Sequence, residues 1–109
     1  MPKALFEIFR DYRGRSIRLT NERRRHILEH VEMRPLEEAI PNTLRWPDRV
    51  VRSSSDPEAH LYYRYYEATA VGSKYVCVVV KALDIDAFVV TAYLTDAVKP
   101  GEILWPGPN

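Results

Sequence analysis

The chain has 109 residues, 46% hydrophobic and 28% charged, with a formal net charge of +1. That size supports one hydrophobic core rather than two, and the composition excludes a disordered polymer. A lone cysteine, Cys77, excludes an internal disulfide, and no run approaches the ~20 apolar residues of a membrane span. With no basic region followed by an apolar stretch at the N-terminus, no secretion signal is expected, and the reading is a cytoplasmic protein.

The charge is unevenly spread. Residues 1–52 carry 12 Lys or Arg against 8 Asp or Glu, and the rest carry 4 against 7. A basic N-terminal half suits a nucleic-acid partner, although arginines on solvated faces would give the same count.

In chain order, residues 4–10 read as extended, followed by a turn from Asp11 to Arg15 around Gly14 and a second extended piece from Ser16 to Leu19. Thr20 suits a helix N-cap, with a helix from about Asn21 to Glu32 whose apolar stripe is Ile27, Leu28 and Val31. Pro35 suits the first position of a second helix reaching about Leu44, with a kink or split near Ile40 because Pro41 removes a donor. After Trp46-Pro47 the pattern is all strand: Arg49 to Ser53, His60 to Ala68, Tyr75 to Leu83, Ala87 to Thr95, and Ile103 to Trp105. The tail 106–109 is expected to fray, leaving 1–105 as one domain. Helices followed by strands joined by short turns indicate α+β: N-terminal helices packed on a twisted antiparallel sheet of about four strands.

One sheet face carries chemical groups. Strict alternation from Ala87 to Thr95 puts Phe88, Val90, Ala92 and Leu94 on a core face and Val89, Thr91, Tyr93 and Thr95 on the other. A three-residue loop, Asp84-Ile85-Asp86, would pair Leu83 with Ala87, Lys81 with Val89 and Val79 with Thr91, so that Lys81, Thr91 and Tyr93 share that second face. A two-residue turn would pair Leu83 with Asp86 and put Lys81 on the opposite face; the first is favoured because the second aligns the lysine with Phe88 on the core side. Cys77 reads as a small buried hydrophobe. His26 and His30, four apart, could chelate a metal, act as acid and base, or be one packed and one solvated side chain. They lack an evident third ligand, so no metal is expected. His60 reads as solvated.

Ser16-Ile17-Arg18-Leu19-Thr20, Glu22-Arg23, His26-Ile27, His30, Glu32-Met33, Thr43-Leu44, Pro47-Asp48, Tyr62-Tyr63-Arg64, Val78-Val79-Val80-Lys81, Ala87 to Thr95, Gly101 and Leu104-Trp105 together resemble the phage-associated branch of the Barnase–EndoU–colicin–RelE-like (BECR) nuclease fold. Arg24 stands where that family favours an aromatic, and Val31 where it favours proline. The resemblance implies metal-independent, cofactor-free RNA transesterification on a four-stranded antiparallel sheet. A toxin role with an antitoxin or immunity partner is compatible with it. On that reading His26 or His30 takes the 2′-hydroxyl proton, the other or Tyr93 assists the leaving oxygen, and Lys81 stabilises the phosphorane. Thr91 and Thr95 hydrogen-bond phosphate or base, Arg24, Arg25 and Arg64 position the backbone, and Tyr62, Tyr63 and Tyr66 are candidate stacking residues. The alternative is a non-catalytic RNA- or protein-binding module.

Overall fold

Ile17 and Leu19 alternate with Ser16, Arg18 and Thr20, so one side of this short strand is apolar and the other polar. That pattern sets where the strand goes. The computed structural model describes residues 5–107. In it β1 (Phe6–Arg10) and β2 (Ser16–Thr20) form an antiparallel hairpin, and β2 then lies parallel to β6 (Ala87–Thr95) through Arg18 and Phe88. β3 (Arg49–Ser53), β4 (Ala59–Thr69), β5 (Gly72–Ala82) and β7 (Gly101–Trp105) complete a seven-stranded sheet ordered β1-β2-β6-β5-β4-β3-β7.

This corrects the expected architecture. The sheet is mixed rather than antiparallel, and it has seven strands rather than about four. The hairpin extends one edge and β7 extends the other, while the helices follow β2, as the two extended segments read ahead of Asn21 implied. Ala4 of the expected first extended segment and residues 108–109 of the expected tail lie outside the described residues.

The helical layer is short. α1 (Asn21–Leu28) starts where Thr20 accepts the Arg23 N–H and ends at Leu28, four residues before the expected end. His30 is extended and opens a 3-10 segment, Val31–Leu36, containing Pro35. α2 (Ala39–Arg45) tolerates Pro41 because the first four helical N–H groups have no intrahelical acceptor in any case. The expected break near Ile40 is thus a boundary between two separate pieces.

Ile27, Met33, Ile40 and Leu44 from this layer pack into one core with Ile17, Leu19, Val50, Tyr62, Val76, Val78, Val80, Val89 and Ala92. Alternate residues face the other way, and there Val51, Leu61, Tyr63 and Cys77 form a second, smaller core. The segment between β6 and β7 crosses this face, with Val98 packed on it and the Lys99 N–H donated to the Tyr63 hydroxyl at 3.2 Å. β7 docks closely enough that a side chain at Gly101 would strike the Arg52 carbonyl and Val51 Cγ1. Among the described residues, no helix is long and apolar enough to cross a membrane.

Candidate nucleic-acid interface

Pairing of β5 with β6 runs Cys77 with Tyr93 and Val79 with Thr91, then shifts so that Val80 meets Val89 and Lys81 meets Phe88. Val90 is the extra residue of a β-bulge, and it inverts the first part of β6. Val89 is therefore buried against the helices, while Phe88 shares the other face with Lys81, opposite to the expected assignment. Leu83 is outside the ladder, and its N–H bonds the Asp86 carbonyl at 2.8 Å.

Lys81, Thr91 and Tyr93 do lie on one face, but they form no cleft. Lys81 is four residues along β5 from the partner of Tyr93, about 13 Å away at the strand rise. Its ammonium bonds Asp56 at 2.7 Å and approaches Glu58 at 3.4 Å, which holds it above the usual lysine range and Asp56 below the usual carboxylate range. The Tyr93 phenol turns inward, where burial, then the neighbouring Cys77, hold it well above the ordinary tyrosine value. Thr95 closes the next turn, accepting the Ala97 N–H at 3.4 Å.

His26 and His30 lie across the sheet from these groups. Ile27 anchors α1 in the helix-side core, which Val76, Val78 and Val80 line, whereas Cys77, Val79 and Lys81 point away. The two imidazoles are exposed, with centroids 6.5 Å apart, and His26 Nδ1 is 3.8 Å from Glu29. The expected meeting of histidine, lysine and phenol thus does not occur, because helix and lysine occupy opposite faces of one sheet. Among the described residues no group of three His, Cys, Asp or Glu could hold a metal.

The expected RNA contacts divide similarly. Arg24 is paired with Glu7 and Glu37, and Arg25 lies on the exposed side of α1. Tyr63 is fully buried, its phenol pushed up to about 12 chiefly by burial, so it cannot stack on a base. Tyr62 is buried too, donating to Asp11 at 2.7 Å. Arg64 is placed differently.

Arg64 lines a groove of about 510 Å³ together with Tyr12, Arg13, Arg45, Trp46, Pro47, Trp105 and Gly107. Four parts of the chain meet there: the β1–β2 turn, the end of α2, β4 and the end of β7. Asp11 fixes the turn. Its buried carboxylate accepts the Arg13 and Arg15 N–H groups at 3.0 and 2.9 Å, besides the Tyr62 hydroxyl. The Tyr12 N–H bonds the Leu44 carbonyl at 2.9 Å, tying the turn to α2.

The aromatic and cationic groups are already arranged. The Tyr12 and Trp105 rings are 5.3 Å apart, and the Trp105 indole N–H donates to the Pro47 carbonyl at 3.2 Å. Arg45 stacks over Trp46 at 4.4 Å, Arg13 lies 5.6 Å from the Tyr12 centroid, and Arg64 donates to the Trp46 carbonyl. Trp46 and Trp105 are nevertheless 57% and 41% exposed, so much of their surface is open to a ligand. Among the described residues none that lines the groove is acidic, so these leave the three guanidinium charges uncompensated.

His60 lies beyond Tyr62 on the same side of β4, with Arg52 as its cross-strand partner. It is part-buried rather than solvated, and burial first, then the positive charges of Arg52 and Arg15, hold its imidazole below the ordinary histidine value. Sequence reading missed Tyr12, Arg13, Arg45, Trp46, Trp105 and this role for His60. The available signal was that both tryptophans adjoin proline at element ends, where side chains lie exposed.

No protein-family model, no curated protein and no solved structure matches the chain.

Proposed function

We propose that the protein binds single-stranded RNA, seating a base against Tyr12, Trp46 and Trp105 and neighbouring phosphates on Arg13, Arg45 and Arg64. The observation that carries this is the convergence of three aromatic rings and three guanidinium groups in one groove, with no carboxylate among its described lining residues. Unpaired bases stack on aromatic faces at about 1–3 kcal/mol each, while arginine supplies the phosphate contacts. The volume accommodates a nucleotide, and the prior stacking of Arg45 on Trp46 limits the entropy lost on binding.

The chain's two tryptophans both line the groove, so their fluorescence reports occupancy directly. Titration with a short unstructured RNA at low salt should quench it, with an affinity that falls as salt rises. Unchanged fluorescence and no binding under those conditions would refute the assignment. Parallel titrations with DNA of the same sequence and with duplex RNA establish whether the 2′-hydroxyl and strand separation matter.

A second reading, cleavage of the bound strand, is favoured by His60. An imidazole held neutral near pH 7 is fit to accept the 2′-hydroxyl proton. The 2′-oxygen then bonds phosphorus, the bond to the 5′-oxygen breaks, and water protonates the leaving oxygen. Arg52, which also pairs with Glu102 at 3.2 Å, and Arg15, which donates to the Leu83 and Asp86 carbonyls, add positive charge beside the imidazole. RNA incubated with protein and EDTA should be cut by the native chain and spared by His60→Gln. Intact RNA with the native chain would dismiss cleavage and leave the binding reading standing.

A further inference from the structure

β1 ends the sheet, and its outer side has no partner among the described residues. The direction of its hydrogen-bonding groups follows from the hairpin. The Leu5 carbonyl accepts from Asn21 N at 3.0 Å, and Asp11 N donates to the Arg15 carbonyl at 2.9 Å. In an antiparallel pair the inward-bonding residues alternate, so Glu7 and Phe9 bond β2 while Phe6, Ile8 and Arg10 aim their N–H and C=O groups outward. The side chains of Phe6 and Ile8 are 46% and 51% exposed, on the sheet face away from the helices. Folded proteins commonly block such an edge with proline, lysine or a bulge, and Phe6–Arg10 has none of these.

We infer that β1 is a homodimer interface, pairing antiparallel with β1 of a second copy about a two-fold axis at Ile8. The strand is self-complementary in this register. Ile8 meets Ile8, and at each end Arg10, whose guanidinium donates to the Gly14 carbonyl of its own turn at 2.9 Å, falls opposite Phe6 with no like charges opposed; moving that exposed guanidinium onto the ring makes a cation–π pair. All three pairs present outward-facing groups to one another, so each closes two N–H···O bonds. A two-fold contact of this type closes after two copies, which protects the edge without permitting fibre growth.

The mass in solution tests this. A concentration series by light scattering should approach twice 12.7 kDa, and Ile8→Lys, which puts two ammonium groups on the axis, should return it to 12.7 kDa with an unchanged circular dichroism spectrum. Ile8→Pro is the second variant: it deletes an outward N–H and spares the bonds to β2. Ile8→Cys should form an intermolecular disulfide on mild oxidation, since Cα atoms of such a pair lie about 5.5 Å apart. A mass of 12.7 kDa at every concentration, or a dimer that survives folded Ile8→Lys and Ile8→Pro chains, would overturn the inference.

Discussion

Replacing Asp11 by alanine tests the link between the buried carboxylate and the groove. Asp11 is 3% exposed and holds three donors: the Tyr62 hydroxyl at 2.7 Å and the N–H groups of Arg13 and Arg15. A hydrogen bond to a charged acceptor contributes about 1.5–3 kcal/mol, and leaving the buried Tyr62 phenol unpaired costs a comparable amount that overlaps with it. The expected loss is about 3 kcal/mol, a large part of the ~5–15 kcal/mol that stabilises a typical domain. Tyr62→Phe removes one donor and leaves the carboxylate with two, so its cost should be about 1–2 kcal/mol. Urea denaturation of both single variants and the double variant gives the coupling, expected at about 1–2 kcal/mol. Asp11→Ala should also weaken RNA binding more than Tyr62→Phe does, because Tyr12 and Arg13 ride on the turn it releases. A loss under about 1 kcal/mol, or strictly additive variants, would refute this account of the turn.

Arg45→Ala and Arg64→Ala should each lower the slope of log affinity against log salt by about 0.7, measured by titration at several salt concentrations. Lys81→Ala should leave RNA affinity within about twofold, since that lysine is paired with Asp56 on the opposite face from the helices. The Thr43 hydroxyl is fully buried with no hydrogen-bond partner among the described residues, so Thr43→Val should raise stability by about 1 kcal/mol in urea denaturation. His60 has a depressed value in the folded state, so below its ordinary value near 6.5 the unfolded chain binds more protons. Its contribution to stability is complete above that point and is lost as pH falls toward the depressed value. Asp11 opposes the shift, while Arg52, Arg15 and Arg13 reinforce it. Urea midpoints between about pH 5 and 7.5 should therefore fall on acidification, and less steeply for His60→Gln.

Local pattern made most strands legible, because period-two alternation and the Gly and Pro breaks are short-range signals. Val76, Val78 and Val80 needed only their own sequence to announce a core strand. Neighbours in the sheet are a long-range matter, and nothing near Ser16–Thr20 indicates that it lies parallel to a strand some 70 residues later. The bulge at Val90 defeated the face assignment because strict alternation presumes an unbroken ladder. For the histidines, chain spacing could say which neighbours they have on the helix but not on which side of the sheet that helix rests. Tyr12, Trp46 and Trp105 come together only through the curl of the β1–β2 turn over the helix side, which follows from the buried Asp11–Tyr62 bond rather than from any local motif.

The strap between β6 and β7 has a practical consequence for following this protein's integrity. Val98 and Tyr63 seal the chain's single thiol, Cys77, which is fully enclosed and whose value is raised chiefly by burial. A thiol-modifying reagent therefore meets a silent molecule until the enclosure opens. Label incorporated per unit time then measures how often the fold breathes, with no added probe and no competing sulfhydryl to subtract.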